Sequence, residues 1–397
     1  MKKLTLLLIY LCITTPCHAD IITVDDNSPA DFNNIQAAIN DANNWDIIIV
    51  ADGTYSNCQV YCGIDFKGKA ITVRSENGPE NCIVDCNYYE SGFYFHSGET
   101  ADSIVDGFTV INAAKPCLPG EPCVITWAGG GIYCNNSNPT IRNCIIRNCS
   151  ADLGGGIYCN NPPNLQTIIN CIITNNDIFW EGGGIYCENA GMYIRIINCT
   201  INDNSKGGIV CYDSTPIVIN SILWGNTPDQ INHSGVFPPP LLWNCDVQGG
   251  WASEFDIINL DPRFADSANG DYHLKSEAGR WNSATQIWVT DGVTSPCIDS
   301  GTQPPDFNND YSGELWPHGK RVNMGAYANT PQASMSLSTV GNIADLDNSG
   351  TVNLMDLALF VDKWLSDEIL LAEDLNRDSL VDFFDYATFA NNWGWQE

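Results

Sequence analysis

Basic residues are scarce in this chain: 17 Lys and Arg stand against 47 Asp and Glu among 397 residues, a formal net charge of −30. A nucleic-acid-binding surface needs a basic footprint, so that class is excluded. Histidine is rare too, with five copies, and no CxxC pair occurs, which argues against zinc despite 18 cysteines. No segment stays apolar over the roughly twenty residues that a bilayer-spanning helix needs. The one long apolar run, "LTLLLIYLCIT", is too short, follows "MKK" and precedes "CHA". Residues 1–19 therefore read as a secretory signal peptide, and a secreted or cell-surface location is expected. Export permits disulfides, and Cys58/Cys62 and Cys117/Cys123 flank loop-like sequence that would suit them.

Glycine, asparagine and aspartate are abundant, and they recur with a period. "GGGIYC" stands at Gly129–Cys134, Gly154–Cys159 and Gly182–Cys187, and "GGIVC" at Gly207–Cys211. The isoleucines Ile132, Ile157, Ile185 and Ile209 are 25, 28 and 24 residues apart. A second marker keeps the same pace: Asn143-Cys144, Asn170-Cys171, Asn198-Cys199, the variant Asn220-Ser221, and Asn244-Cys245. Between markers lie short runs rich in Ile, Thr and Tyr, with no helical period. Such repeats are rungs of a parallel β-solenoid, stacked about 4.8 Å apart with like residues in ladders. Cys134, Cys159, Cys187 and Cys211 make one predicted ladder, and Cys144, Cys171 and Cys199 a second. Their sulfurs either bridge or lie buried as thiols. Asn148, Asn175 and Asn202 make a predicted asparagine ladder at a bend. Upstream, Phe32, Ile35, Ile39 and Ala42 mark one face of a capping helix, and "DIIIVADGTY" is the expected first strand.

The cap "IQAAIN...WDIIIVADGTY", the rung "DGFTV" and the Gly/Asn repeats resemble the right-handed parallel β-helix proteins of the pectin-lyase-like superfamily. Residues 261–330 resemble the C-terminal rungs and cap of secreted bacterial β-helix proteins of the kind common in planctomycetes. The resemblance implies a mainly β fold, a right-handed parallel β-helix over residues 20–330. It implies an extracellular polysaccharide as partner, either degraded by a lyase or glycoside hydrolase or merely bound. A non-catalytic adhesin-like or structural surface protein is the alternative.

After "PQASMSLST", which reads as a linker over residues 331–340, a motif occurs twice at an offset of 29: "DLDNSGTVNLMD" and "DLNRDSLVDFFD". Calcium takes six to eight oxygens, which a twelve-residue loop supplies from positions 1, 3, 5, 7, 9 and 12. In the first loop these are Asp345, Asp347, Ser349, the Thr351 carbonyl, Asn353 and Asp356. In the second they are Asp374, Asn376, Asp378, the Leu380 carbonyl, Asp382 and Asp385. Gly350 sits at position 6, where the turn needs positive φ, and Ser379 replaces it in the second loop. Residues 341–397 resemble a type I dockerin, a small all-α module related to the EF-hand, which implies Ca2+ and docking to a cohesin-like or cell-surface protein. The sequence departs from that family at positions 10 and 11, where Leu354-Met355 and Phe383-Phe384 replace small polar residues. These either contact a partner or pack the module's own core.

Signatures of known β-helix catalytic sites are absent. The variable turns before the glycines carry Asp152, Asp177, Glu181 and Asp203 as candidate acid and base groups. Trp180 and Lys206 are candidate substrate contacts. Trp224, Trp243 and Trp251 form a second candidate platform for sugar. The GGG motif itself lacks the lysine and helix of a phosphate loop and reads as a scaffold corner.

Overall fold

The computed structural model describes residues 19–397 except 28, 57–62, 89–90, 115–128, 253–254 and 303–310. The signal peptide and the pairs Cys58/Cys62 and Cys117/Cys123 lie outside the described residues, apart from Ala19. Within them the chain winds through three parallel sheets of nine, eight and seven strands. The first sheet runs from Ile21–Val24 to Leu241–Trp243, the second from Gly53–Tyr55 to Asp246–Val247, and the third from Ile64–Asp65 to Ile231–Ser234. Each rung crosses the three in turn, which is the expected parallel β-helix. No helix among the described residues is long and apolar enough to cross a membrane.

The three corners explain the composition. Each must bend the chain sharply within a residue or so, and asparagine, aspartate and glycine reach the left-handed region most readily. Between the first and second sheets stand Asn143, Asn170, Asn198, Asn220 and Asn244, with φ of 48–53°. Between the second and third stand Asn148, Asn175, Asp203 and Gly225, and between the third and first Asn136, Asn161, Asn189 and Asp213, all at positive φ. The Asn of the "NC" marker is therefore a corner, and its Cys turns inward.

The ladders have the expected register. Ile132 pairs with Ile157, that with Ile185, and that with Ile209; the cysteines of the same strands pair alike. All twelve described cysteines are buried and outside any disulfide. Burial pushes the thiols of Cys134, Cys144 and Cys171 well up, so they behave as small apolar residues. The asparagine ladder needs correction by one or two residues. Asn148 and Asn175 are exposed corner residues, and Asn202 is out of step with them, beside Thr174. The buried ladder is Asn176, Asn204 and Asn226. Each Nδ2 donates inward to a carbonyl, of Ile146, Ile173 and Ile201 respectively. The Oδ1 of Asn204 and Asn226 accepts the backbone N–H of the preceding rung's asparagine at 3.0 Å.

Both ends are closed. Helix α1 (Ile35–Asp41) is capped by Asn34 and buries Ile35, Ala38 and Ile39. A strand, Ile21–Val24, precedes it and pairs with Ile47–Val50, so "DIIIV" is the second strand rather than the first. At the other end Trp251 and Ile257 pack on the core.

The C-terminal region differs from the expected cap. Its antiparallel hairpins (Phe264–Asp266 with Asp271–Leu274, Arg280–Asn282 with Ile287–Val289) lie along the side of the solenoid. Tyr272 Oη meets Thr174 Oγ1 at 2.7 Å, and the Ala326 N–H donates to Thr200 Oγ1. The corner asparagines Asn170 and Asn220 donate to the carbonyls of Ala328 and Thr302. Ile145, Ile172 and Ile222 face outward from the second sheet, and this wrap covers them. The presumed linker belongs to it: Ala333, Ser334, Met335 and Ser336 are buried, with Ser334 Oγ donating to the Leu274 carbonyl. Small polar composition marked tight packing here, not freedom.

One buried acid makes stability depend on pH. Asp246, in the last rung, accepts from the Leu260 N–H and from the Cys297 thiol, and burial pushes its carboxyl up to about 6. The folded state thus holds a proton that the unfolded chain releases near pH 4. Its contribution is full below that pH and is lost as pH rises through about 6, an effect of about 3 kcal/mol. Urea midpoints should fall less between pH 4 and pH 7 for Asp246→Asn than for the wild type; equal slopes would refute the assignment.

Candidate functional site

The GGG corners are scaffold. Their first glycines, Gly129, Gly154, Gly182 and Gly207, take positive φ, and the glycines that follow, two in the first three copies and Gly208 in the fourth, lie against the adjacent rung's carbonyls. The tyrosines that follow point out of the barrel, as expected, yet they are not free. Tyr94, Tyr133, Tyr158 and Tyr186 stack at 4.7, 5.4 and 6.0 Å between centroids. Tyr158 Oη donates to Glu188 at 2.6 Å, and Leu153 covers the stack.

The candidate catalytic residues lie on the edge between the second and third sheets. Ser150–Leu153 and Asp177–Glu181 form an added parallel pair there, with Ser150 opposite Asp177 and Leu153 opposite Glu181. The side chains of Trp180 and Glu181 lie outside the described residues. Asp203 is itself the corner residue, equivalent to Asn175 and Asn148. Asp177 lies two residues past its corner, Asp152 four past, and Lys206 three past. Their chain positions therefore differ within the rung, and no two described carboxylates share a ladder. Asp177 accepts from the Ile178 N–H and the Ser205 hydroxyl, and Asp203 accepts from Asn202 Nδ2.

Trp224, Trp243 and Trp251 are packing residues: Trp224 lies under the wrap, Trp243 against Phe255, and Trp251 on the core end. A different aromatic surface escaped sequence reasoning. Tyr193 and Phe237 lie at the connections from the third to the first sheet, and Tyr212 lies in the third-sheet strand Ile209–Ser214 just before its corner Asp213, on three successive rungs, each 44–53% exposed. Exposed Met192 and Val236 extend this ridge. A cleft of about 490 Å3 opens elsewhere, between Arg74, Asp106, Ile145, Tyr327 and Leu370. Asp106 is engaged by Arg142 at 2.8 Å, whereas Arg74 makes no ion pair among the described residues.

The tail holds the densest charge. Oxygens of Asp345, Asp347 and Asp356 lie within 4.8 Å of one another, as do those of Asp374, Asp378 and Asp385. The two loops share one hydrogen-bond plan. Asp345 accepts from the Ser349 and Gly350 N–H groups, and Asp374 from those of Asp378 and Ser379. Asp356 accepts from the Asp347 and Asn353 N–H groups, and Asp385 from those of Asn376 and Asp382. Ser379 adopts φ 71°, beside 83° for Gly350, so the serine meets the turn's demand. Asn353 and Asp382 cap helices α2 (Leu354–Asp362) and α3 (Phe383–Asn391). Thr351 and Leu380 occupy the carbonyl position of each loop, and Ser349 Oγ contacts the Thr351 oxygen at 3.2 Å.

Asp345, Asp356, Asp374 and Asp385 are buried, and burial raises the carboxyls of Asp345 and Asp374. Clustering buried carboxylates is costly unless a cation neutralises them. Arg377, whose guanidinium donates to the carbonyls of Leu371, Asp374 and Trp316, offsets the charge of Asp374 only in part, since that carboxyl stays raised. The residues fit a hard divalent ion in each loop.

The loops are related by internal symmetry. Val352 pairs with the chain after α3 (Trp395), and Val381 with the chain after α2 (Leu365, Ser366). Phe360 and Phe389 stack at 5.4 Å in the shared core. Leu354, Met355, Phe383 and Phe384 stay outside that core, 64–75% exposed.

A family model described as "Right handed beta helix region" matches residues 100–237, and one described as "Disaggregatase related" matches residues 246–301. The fold is accordingly a right-handed parallel β-helix. Similar solved structures include the pectate lyase Pel9A, 16% identical over 77% of this chain and 96% of that one, with TM-score 0.40. A pectin methylesterase in complex with a hexasaccharide is 10% identical over 60% and 80%, with TM-score 0.35. The Aspergillus niger pectin methylesterase is 15% identical over 61% and 83%, with TM-score 0.31. Likenesses this distant assign no residue. No curated protein matches the chain.

Proposed function

We propose that this is an extracellular polysaccharide-binding protein carrying a calcium-dependent docking module. The observation that supports the first half is the ridge of Tyr193, Tyr212 and Phe237 on three successive rungs. Aromatic faces held half-exposed by a rigid scaffold suit the apolar faces of sugar rings. A polymer can touch them without the strict convergence that catalysis demands.

The docking half rests on the two acidic loops. Asp345, Asp347, Ser349, Asn353 and Asp356, with the Thr351 carbonyl, would hold one Ca2+. Asp374, Asn376, Asp378, Asp382 and Asp385, with the Leu380 carbonyl, would hold the other. The ion supplies charge neutralisation and fixes each loop. The symmetric pairs Leu354-Met355 and Phe383-Phe384 then form an apolar surface for a protein partner, cohesin-like or on the cell surface.

The offset of Asp152, Asp177 and Asp203, with Asp177 already hydrogen-bonded on two sides, favours binding over turnover. The test is the full chain in calcium against a panel of acidic and neutral polysaccharides, following retention, reducing ends and unsaturated products together. Retention without products is expected. Product release that is lost in Asp177→Asn would establish the enzyme reading instead, and no retention on any polymer would refute both.

A further inference from the structure

A twelve-residue calcium loop takes no ligand from position 4. That position is Asn348 in the first loop and Arg377 in the second, both left-handed, with φ 55° and 64°. Both side chains reach the same short stretch of the solenoid's wrap. Arg377 Nη2 donates to the Trp316 carbonyl at 3.0 Å, while its Nη1 donates to the loop's own Asp374 carbonyl at 3.2 Å. The Asn348 side chain lies next to His318, which is buried. The first loop adds a third tie: the Gly350 carbonyl accepts from the Glu397 N–H, and Glu397 pairs with Lys320.

Residues 316–320 are firmly part of the solenoid side. The Pro317 carbonyl accepts from the Ser336 N–H at 2.8 Å, and neighbouring Arg321 donates to the Gly301 carbonyl at 3.0 Å. Farther along, Ile369 and Leu370, between the two loops, wall the 490 Å3 cleft together with Arg74 and Tyr327. The chain between the packed Ser336 and the module, residues 337–341, carries exposed Leu337 and Val340.

We propose that the two calcium loops are also a clamp, whose non-ligand residues Asn348 and Arg377 fasten the module to the Trp316–Lys320 segment only while calcium holds the loops in shape. This rests on the calcium reading above. Without the ion, the gathered carboxylates repel and the loops relax, so the position-4 side chains lose their aim. The module then detaches about residues 337–341, and the cleft loses one wall. The partner of this surface is the chain's own solenoid, and calcium decides whether the docking pairs on α2 and α3 are presented rigidly or on a tether.

The test uses the full mature chain. Calorimetry first counts bound calcium; no uptake would overturn the calcium reading itself, and the clamp with it. With uptake established, X-ray scattering and chymotrypsin cleavage after Leu337 are followed with and without chelator. Chelation should enlarge the radius of gyration and speed cleavage about tenfold, the factor expected for losing one charge-assisted hydrogen bond. Calcium should reverse both. The variant Asn348→Gly/Arg377→Gly keeps the left-handed backbone and every ligand. It should still bind two ions yet be cleaved in calcium much faster than the wild type, with only the Glu397–Lys320 tie left. A wild type equally compact and protected without calcium, or a variant protected like the wild type, would overturn the clamp.

Discussion

Replacing Gly155 and Gly183 by alanine should prevent the solenoid from folding. A Cβ on Gly155 would stand 2.4 Å from the Asp177 carbonyl oxygen and 2.9 Å from that of Gly183. One on Gly183 would stand 2.1 Å from the Ser205 oxygen and 2.8 Å from that of Asn176. These are backbone atoms, of the adjacent rung except for Asn176, so no side chain can swing aside. Relief requires the rungs to part, which breaks the paired hydrogen bonds Gly155 N–H to Gly182 O and Gly183 N–H to Ser205 O. The cost is about 3 kcal/mol or more per site, enough for two sites to exhaust a typical domain's stability. Gly292 has nothing within 4 Å of its would-be Cβ, so Gly292→Ala should be silent. Circular dichroism and urea denaturation of the three proteins check this; a double variant that melts with the wild type would show that the glycines are dispensable.

The second large effect lies in the tail. Asp356→Ala should leave one of two calcium ions bound, and Asp356→Ala with Asp385→Ala should leave none. Each of these fully buried carboxylates accepts two backbone N–H groups, one of them from the residue capping the following helix. Its removal strips the loop of a ligand and orphans both donors, a loss of about 3 kcal/mol even before the ion is counted. The module's core is small, six buried residues around Phe360 and Phe389, so little remains to hold α2 and α3 without metal. Calorimetric stoichiometries of two, one and none are expected. Two ions bound by the double variant would place the sites elsewhere.

The rungs were legible because two markers, the GGGI isoleucine and the "NC" pair, kept one period through 100 residues. The register of Ile132, Ile157, Ile185 and Ile209 followed directly. The inner asparagine ladder was misread by one or two residues because Asn148, Asn175 and Asn202 also look periodic. Counting five residues on from each marker cysteine, or Ser221, gives Cys149, Asn176, Asn204 and Asn226, the positions that hydrogen-bond from rung to rung. The wrap was illegible because its partners are far away in sequence: Asn170 meets Ala326, and Thr174 meets Tyr272.

The site was harder to read for a related reason. Corner connections vary in length, so closeness to GGG did not give a ladder position, and Asp152, Asp177 and Asp203 fell at different distances from their corners. The same irregularity hid Tyr193, Tyr212 and Phe237, which share an edge but no period. In the acidic loops the spacing is local, and the carboxylates of Asp345, Asp347 and Asp356, and of Asp374, Asp378 and Asp385, gather as it implies. Whether the apolar pairs at positions 10 and 11 face out or in depended on tertiary packing, and they face out.

The central claim is that the solenoid binds polysaccharide along its aromatic ridge. Its most direct test is equilibrium binding of the full chain and of Tyr193→Ala/Tyr212→Ala/Phe237→Ala to the polymer that retains the wild type best. These side chains are half-exposed and outside the core, so the variant should fold and melt like the wild type. Its affinity should fall by about a hundredfold, as losing stacked aromatic contacts of about 1 kcal/mol each predicts. An unchanged affinity in the folded variant would contradict the account.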